Sequence, residues 1–130
     1  MRTVDGFETF PAFEILEPSF QRRPFVFNSP HSGSTYPKSF LKSSRLDRTG
    51  IRRSEDTFVD ELFSGVTGLG APLMRAMFPR AFLDVNREPY ELDPAMFADR
   101  LPAYVNARSI RVAGGLGTIA RVVADSEEIY

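Results

Sequence analysis

Phe25-Val-Phe-Asn-Ser-Pro-His-Ser-Gly-Ser-Thr-Tyr-Pro37 is the stretch on which the reading of this chain turns. Its first three residues are aromatic or β-branched and read as a buried strand, which Asn28, Ser29 and Pro30 bring to an end. His31, the single histidine of the sequence, therefore leaves a strand end into a loop, where α/β folds keep their ligand sites. Gly33 and Ser34 follow and let the backbone come close to a metal or a substrate. An imidazole at neutral pH is either a metal ligand or a general base. Alone, His31 reads first as a loop residue without a role, so the rest of the chain has to decide.

Upstream, residues 12–16 and 24–28 read as two strands joined by the polar stretch 17–23, a length that suits a hairpin. Downstream, residues 38–46 read as a short helix or irregular chain. Ser54 is placed to cap a helix, with Glu55 and Asp56 in its first turn. Phe58, Val59, Leu62, Phe63 and Val66 then recur at helical spacing, and Gly65, Gly68 and Gly70 supply stops, which predicts a helix over 55–66. Residues 71–77 and 81–86 read as strands. Asp93 followed by Pro94 opens a short helix through about residue 100. Residues 110–113 read as strand, 114–117 as a turn, and 118–124 as strand or helix. The sum is an α/β chain with a mixed central sheet and flanking helices.

A chain of 130 residues is expected to form a single domain, residues 1–130, with a real core. Hydrophobic residues make up 42% and charged residues 25%, which argues against disorder. Sixteen basic and seventeen acidic residues leave a net charge of −1, so no nucleic-acid partner is expected. The absence of cysteine excludes disulfides, thiolate metal sites and cysteine nucleophiles. No apolar run approaches the ~20 residues of a membrane span and no signal-peptide core is visible, so the expectation is a cytoplasmic protein without a membrane partner. Twelve phenylalanines and no tryptophan imply an aromatic core or an apolar surface awaiting cover.

Four polar clusters fall at the ends of these elements: His31; Glu55 with Asp56; Asn86 with Arg87; and Arg121. A histidine near a carboxylate is the nucleus of a zinc site, since Zn²⁺ takes N and O ligands. An arginine beside an asparagine at a strand end is a carboxylate receptor, because the guanidinium fork matches two oxygens. Each cluster also has a structural reading. Glu55 and Asp56 suit any helix N-terminus, and Arg87 could pair with Glu88, Glu91 or Asp84.

Four stretches in order carry a resemblance: Ser-Pro-His31-Ser-Gly; Arg52-Arg-Ser-Glu-Asp-Thr-Phe-Val-Asp-Glu-Leu62; Pro79-Arg-Ala-Phe-Leu-Asp-Val-Asn-Arg-Glu88 with Glu91-Leu-Asp-Pro94; and Gly115-Leu-Gly-Thr-Ile-Ala-Arg121. Together they resemble the N-formylglutamate amidohydrolases, zinc-dependent hydrolases related to the metallocarboxypeptidases and succinylglutamate desuccinylase. The resemblance implies a partial zinc-carboxypeptidase or phosphorylase/hydrolase-like fold, with His31 as the first zinc ligand. The wider pattern is His-x-x-Glu, but Ser34 stands at that place here. The acidic ligand is then expected to be Asp56, with Glu55 second. Asn86 and Arg87 would form the substrate-carboxylate clamp, with Arg80 and Arg121 as helpers.

The implied reaction is hydrolysis of the formyl amide of N-formyl-L-glutamate, or a similar N-acyl amino acid, to glutamate and formate in histidine degradation. Members of that family are longer, so the resemblance implies the N-terminal part of such a domain. A second histidine ligand and the general base are expected outside this chain, which alone would be nearly inactive. Apolar surface left uncovered is expected to promote self-association.

Two other functions compete. One is a non-catalytic binding or assembly module that shares every motif. The other is a dinucleotide-binding fragment, through Gly115-x-Gly117-x-x-Ala120, which requires a strand before the glycines and a helix after them.

Overall fold

The structure, a computed structural model, describes residues 2–4 and 7–130, with side chains from Thr9 onward. In chain order the strands are β1 (Arg2–Val4), β2 (Phe7–Thr9), β3 (Phe13–Leu16), β4 (Phe27–Ser29) and β5 (Leu73–Ala76). The α-helices are α1 (Lys38–Ser43), α2 (Val59–Phe63) and α3 (Ile110–Ala113). The chain divides into two compact units, residues 1–38 with 55–79 and residues 39–54 with 80–130.

The first unit is organised by β5, which lies between β3 and β4 in a three-stranded sheet. It runs antiparallel to β3, pairing Glu14 with Arg75 and Leu16 with Leu73. It runs parallel to β4, pairing Phe27 with Leu73 and Ser29 with Arg75. The sheet is therefore mixed, as the sequence predicts. Residues opposite one another share a face. Leu73 and Ser29 are buried on one side, whereas Phe13, Ile15 and Met74 on the other are 51%, 45% and 37% exposed. β1 and β2 form a separate antiparallel pair, Arg2 opposite Thr9.

Two expectations for the strands of this unit fail. Residues 17–23 do not join a hairpin, because β5 separates the two strands. The strand predicted over 24–28 begins only at Phe27, and Phe25 and Val26 are exposed. Before the ladder starts, the Arg22 and Arg23 N–H groups both donate to the Gly70 carbonyl, at 2.8 and 3.1 Å, so this segment is first bound as a loop.

The helix expected over 55–66 is shorter. α2 spans Val59–Phe63 and continues as a 3₁₀ turn over Ser64–Thr67. The residue before it is Phe58, not Ser54, and Phe58 adopts φ 66°, ψ 5°. Phe58, Leu62 and Phe63 stay exposed, so the helical spacing of apolar residues does not mark a buried stripe here.

The second unit has no named strand among the described residues, only an isolated bridge between Val122 and Glu128. Phe40, Ile51, Val112, Val122, Val123 and Ile129 are among its buried apolar residues. Phe40, carried on α1 within the predicted 38–46 helix, lies 5.4 Å from the Phe82 ring and 6.3 Å from the Tyr130 ring.

Residues 81–86, read as a strand, are turns. Asp84 causes this: its Oδ1 accepts the Asn86 N–H at 2.9 Å, which takes a donor that a ladder would need. Residues 110–113, also read as a strand, are α3, because Ser109 accepts the Val112 N–H at 3.0 Å as an N-cap. Asp93 caps as expected, accepting the Ala95 N–H at 2.9 Å, but the 3₁₀ helix stops at Met96. Residues 118–124 hold neither a strand nor an α-helix; a 3₁₀ turn starts at Ala124.

Candidate functional site

β4 ends at Ser29, and His31 follows two residues later in the loop, as its sequence position implies. The loop is pressed against the chain after β5. The Thr35 N–H donates to the Met77 carbonyl at 2.9 Å. A Cβ at residue 33 would collide with the Phe78 carbonyl oxygen and the Met77 carbonyl carbon, which is why glycine stands there.

The result is a buried His31, 7% exposed, whose Nδ1 lies 3.5 Å from Asp56 Oδ2. A backbone bond reinforces this approach, as the Asp56 N–H donates to the His31 carbonyl at 3.1 Å. Asp56 thus sits three residues before α2 and not in a first helical turn. Its side chain is about half exposed, 48%, so the pair presents a buried imidazole and a half-exposed carboxylate. The neighbouring Glu55 is held differently: Tyr36 Oη donates to its Oε2 at 2.9 Å and Thr57 Oγ1 to its Oε1 at 3.3 Å.

Within the second unit two of the predicted carboxylate receptors, Arg80 and Arg87, gather on one buried acid, Asp84, which is 4% exposed. Arg80 Nη2 lies 2.9 Å and Arg87 Nη2 3.2 Å from its Oδ2. Arg87 also donates from Nε to the Leu116 carbonyl at 2.7 Å and from Nη1 to the Asn86 carbonyl at 2.8 Å. The guanidinium plane is therefore fixed on three sides. Arg121 stands apart from this cluster, 3.2 Å from Asp93 Oδ2 and 3.4 Å from Glu128 Oε1.

Glu91 is a second buried carboxylate of the same unit. The Ser109 hydroxyl, then the Glu88 backbone N–H and the Arg111 and Arg87 charges, hold it below the usual glutamate range against the opposing effect of burial.

Sequence reasoning missed Ser29, Ser32, Tyr36 and Asp60 around His31, and it gave Asp84 only as one of three partners for Arg87. The signal for Ser32 was its adjacency to His31. Nothing local marks Asp60 as its partner 28 residues on.

Among the described residues no three histidine, cysteine, aspartate or glutamate side chains come together as a metal-binding group. The Gly115 motif likewise lacks its required surroundings. A helix, α3, precedes the glycines, Gly115 turns at φ 75°, and no helix follows through Ala120.

A mixed-sheet α/β chain with an imidazole against a carboxylate and arginines locked on a buried acid is the class that fold and site define. Residues 23–130 match the N-formylglutamate amidohydrolase family model, and the chain belongs to that family. It is similar to the crystal structure of N-formylglutamate amidohydrolase from Ralstonia eutropha JMP134, with 34% identity and a TM-score of 0.81. That likeness covers 92% of this chain and 41% of the Ralstonia chain, so this chain spans less than half the length of its solved relative. No curated protein matches it. Among the described residues no helix is long and apolar enough to cross a membrane.

Proposed function

We propose that this chain serves hydrolysis of the formyl amide of N-formyl-L-glutamate, or of a closely similar N-acyl amino acid. Water adds its oxygen to the formyl carbon, the C–N bond breaks, and the nitrogen takes a proton, giving formate and glutamate. The observation that carries the reading is the approach of His31 Nδ1 to Asp56 Oδ2, 3.5 Å, inside the family-matched segment. The family match runs through both units, and we take residues 1–130 as part of one amidohydrolase domain, with a sheet of the wider zinc-carboxypeptidase kind.

Zinc is the cofactor we propose for this reaction. His31 and Asp56, with Glu55 as the alternative acid, supply the N and O donors zinc accepts. They fit two positions of a catalytic site, which takes three protein ligands. When bound, the ion would bring the pKa of a water to about 7 and polarise the formyl carbonyl. His31, fixed in its buried loop, would hold its place without rearrangement. Asn86 and Arg87, with Arg80 and Arg121 as helpers, would bind the substrate carboxylates. Arg87 is suited to that task because three carbonyl or carboxylate partners fix its plane before any ligand arrives. The general base is assigned to no residue of this chain. Histidine degradation is the metabolic setting in which such a substrate arises.

The alternative, a binding or assembly module, draws on the exposed sheet face of Phe13, Ile15 and Met74, which would also favour self-association. One experiment separates the two. Residues 23–130 replace the corresponding segment of the Ralstonia protein, and formate release from N-formyl-L-glutamate is measured for the chimera and for the chain alone. Turnover by the chimera that disappears in H31A and D56N is the expected result. Equal turnover with H31A would overturn the reading, and a soluble but inactive chimera would favour the module.

A further inference from the structure

We propose that Ser32, backed by Ser29, is the positioning residue that sets the Asp56 carboxylate against His31; this rests on the reading of those two as a working pair. α2 begins without a local cap. The residue in that place is Phe58, which has no side-chain acceptor. Ser32, 28 residues earlier in the chain, supplies one instead: its Oγ accepts the Asp60 N–H at 3.2 Å. Ser29 Oγ lies 2.5 Å from Ser32 Oγ, and both serines are buried. A hydroxyl with two fixed neighbours has little freedom to rotate.

Two ties thus join the loop to the start of α2 and the segment before it. One is Asp56 N–H to the His31 carbonyl, and the other is Asp60 N–H to Ser32 Oγ. Between them lies Phe58 at φ 66°, a left-handed conformation costly for a residue with a Cβ and worst for a bulky one. Such a conformation persists only where its surroundings over-determine it. Here the two ties do so. With the Ser32 tie gone, Phe58 returns to an ordinary φ, and the chain swings at the residue two places from Asp56.

α2 itself keeps a second anchor. Asp60 Oδ2 lies 2.8 Å from Arg75 Nη1 on β5, and Arg75 Nη2 also holds Glu14 at 2.6 Å. The fold therefore survives loss of the Ser32 bond, whereas the His31–Asp56 geometry does not.

Because the sequence has one histidine, a ¹⁵N-histidine label gives one imidazole spectrum. It is recorded on the 130-residue chain at one neutral pH, without metal or substrate, with D56N marking the signals of His31 without its carboxylate. S32A should move most of the way to the D56N positions and speed exchange of the Asp60 amide about tenfold. S32T, which keeps the hydroxyl, should stay near wild type, and S29A should fall between. S32A added to D56N should move the signals no further. Faster exchange at Asp60 with unmoved imidazole signals would make Ser32 a helix cap only and overturn the proposal. So would an S32T spectrum as displaced as that of S32A, or loss of the fold in both alanine variants. The outcome is separable from the formate assay: expected spectra with an inactive chimera remove the reaction alone, and unmoved spectra with an active chimera remove the positioning alone.

Discussion

The two units hold their candidate residues by different means. In the first, neutral groups hold the His31 loop: a backbone bond from Asp56 to the His31 carbonyl, a pair of serine hydroxyls, and a glycine that admits the loop. In the second, buried acids do it: Asp84 gathers Arg80 and Arg87, and Glu91 gathers Ser109 and Arg111. A ladder of strands fixes the first unit, while among the described residues the second has one isolated bridge. Where no ladder exists, buried charge with complete partners is an alternative way to fix a side chain, and it makes the structure sensitive to anything that changes that charge.

The largest expected effect follows from that contrast. D84A leaves two guanidinium groups without their acid and should cost about 3–5 kcal/mol in urea unfolding, with amide exchange rising first in residues 80–130. Equal acceleration in residues 55–79 would erase the distinction between the units. G33A is the counterpart in the first unit. Its methyl must displace the Phe78 carbonyl, at a cost of about 1–3 kcal/mol, with exchange rising at Thr35. An unchanged Thr35 amide would show that the loop has room.

A smaller effect is expected from acid. Glu91 titrates below its ordinary value of 4.5, so the unfolded chain takes up this proton first as pH falls. The stability it contributes is whole above that value and is lost as pH drops through the lower, folded value. Acid unfolding should therefore loosen the second unit before the first, and E91Q should flatten the acid limb. An acid limb unaltered in E91Q would mean that other carboxylates govern it.

The smallest effect is predicted for F58G. Glycine relieves the left-handed conformation but adds freedom to the unfolded chain, and Phe58 is 61% exposed, so the two contributions should nearly cancel, within about 1 kcal/mol. A loss well beyond that, seen as a lower Tm, would mean that the Phe58 ring packs against something.

What the sequence made legible follows the same division. The mixed sheet, β3 and β5 as strands, and His31 just past a strand end were readable, because apolar runs and Pro-Gly punctuation are local signals. That β5 enters between β3 and β4 was not readable, since strand order depends on pairings tens of residues apart. The start of α2 moved from residue 55 to Val59 because tertiary bonds to His31 and Ser32 outweighed a plausible Ser54 cap. In the second unit the strand expected at 81–86 was lost to the Asp84 side chain, which competes for backbone donors in a way that apolar periodicity does not register. The 110–113 helix has a readable sign in the Ser109 cap, which the β-branched Ile110 and Val112 obscure when residue type alone is read. At the site, the His31–Asp56 approach was the pairing most easily foreseen, and the hydroxyls behind it the least.

The order of the strands also bears on how the chain is made. β5 is the last of its sheet to be synthesised, and both β3 and β4 need it as their partner. At about 5–20 residues per second, the ribosome leaves β3 unpaired for several seconds while the intervening chain emerges. Phe13, Ile15, Phe25 and Val26 are open to solvent even in the finished structure, so during that interval they are an invitation to neighbouring nascent chains. Slower translation between residues 30 and 70 would lengthen this exposure, and a holdase chaperone would have its binding site around Phe13, Ile15, Phe25 and Val26.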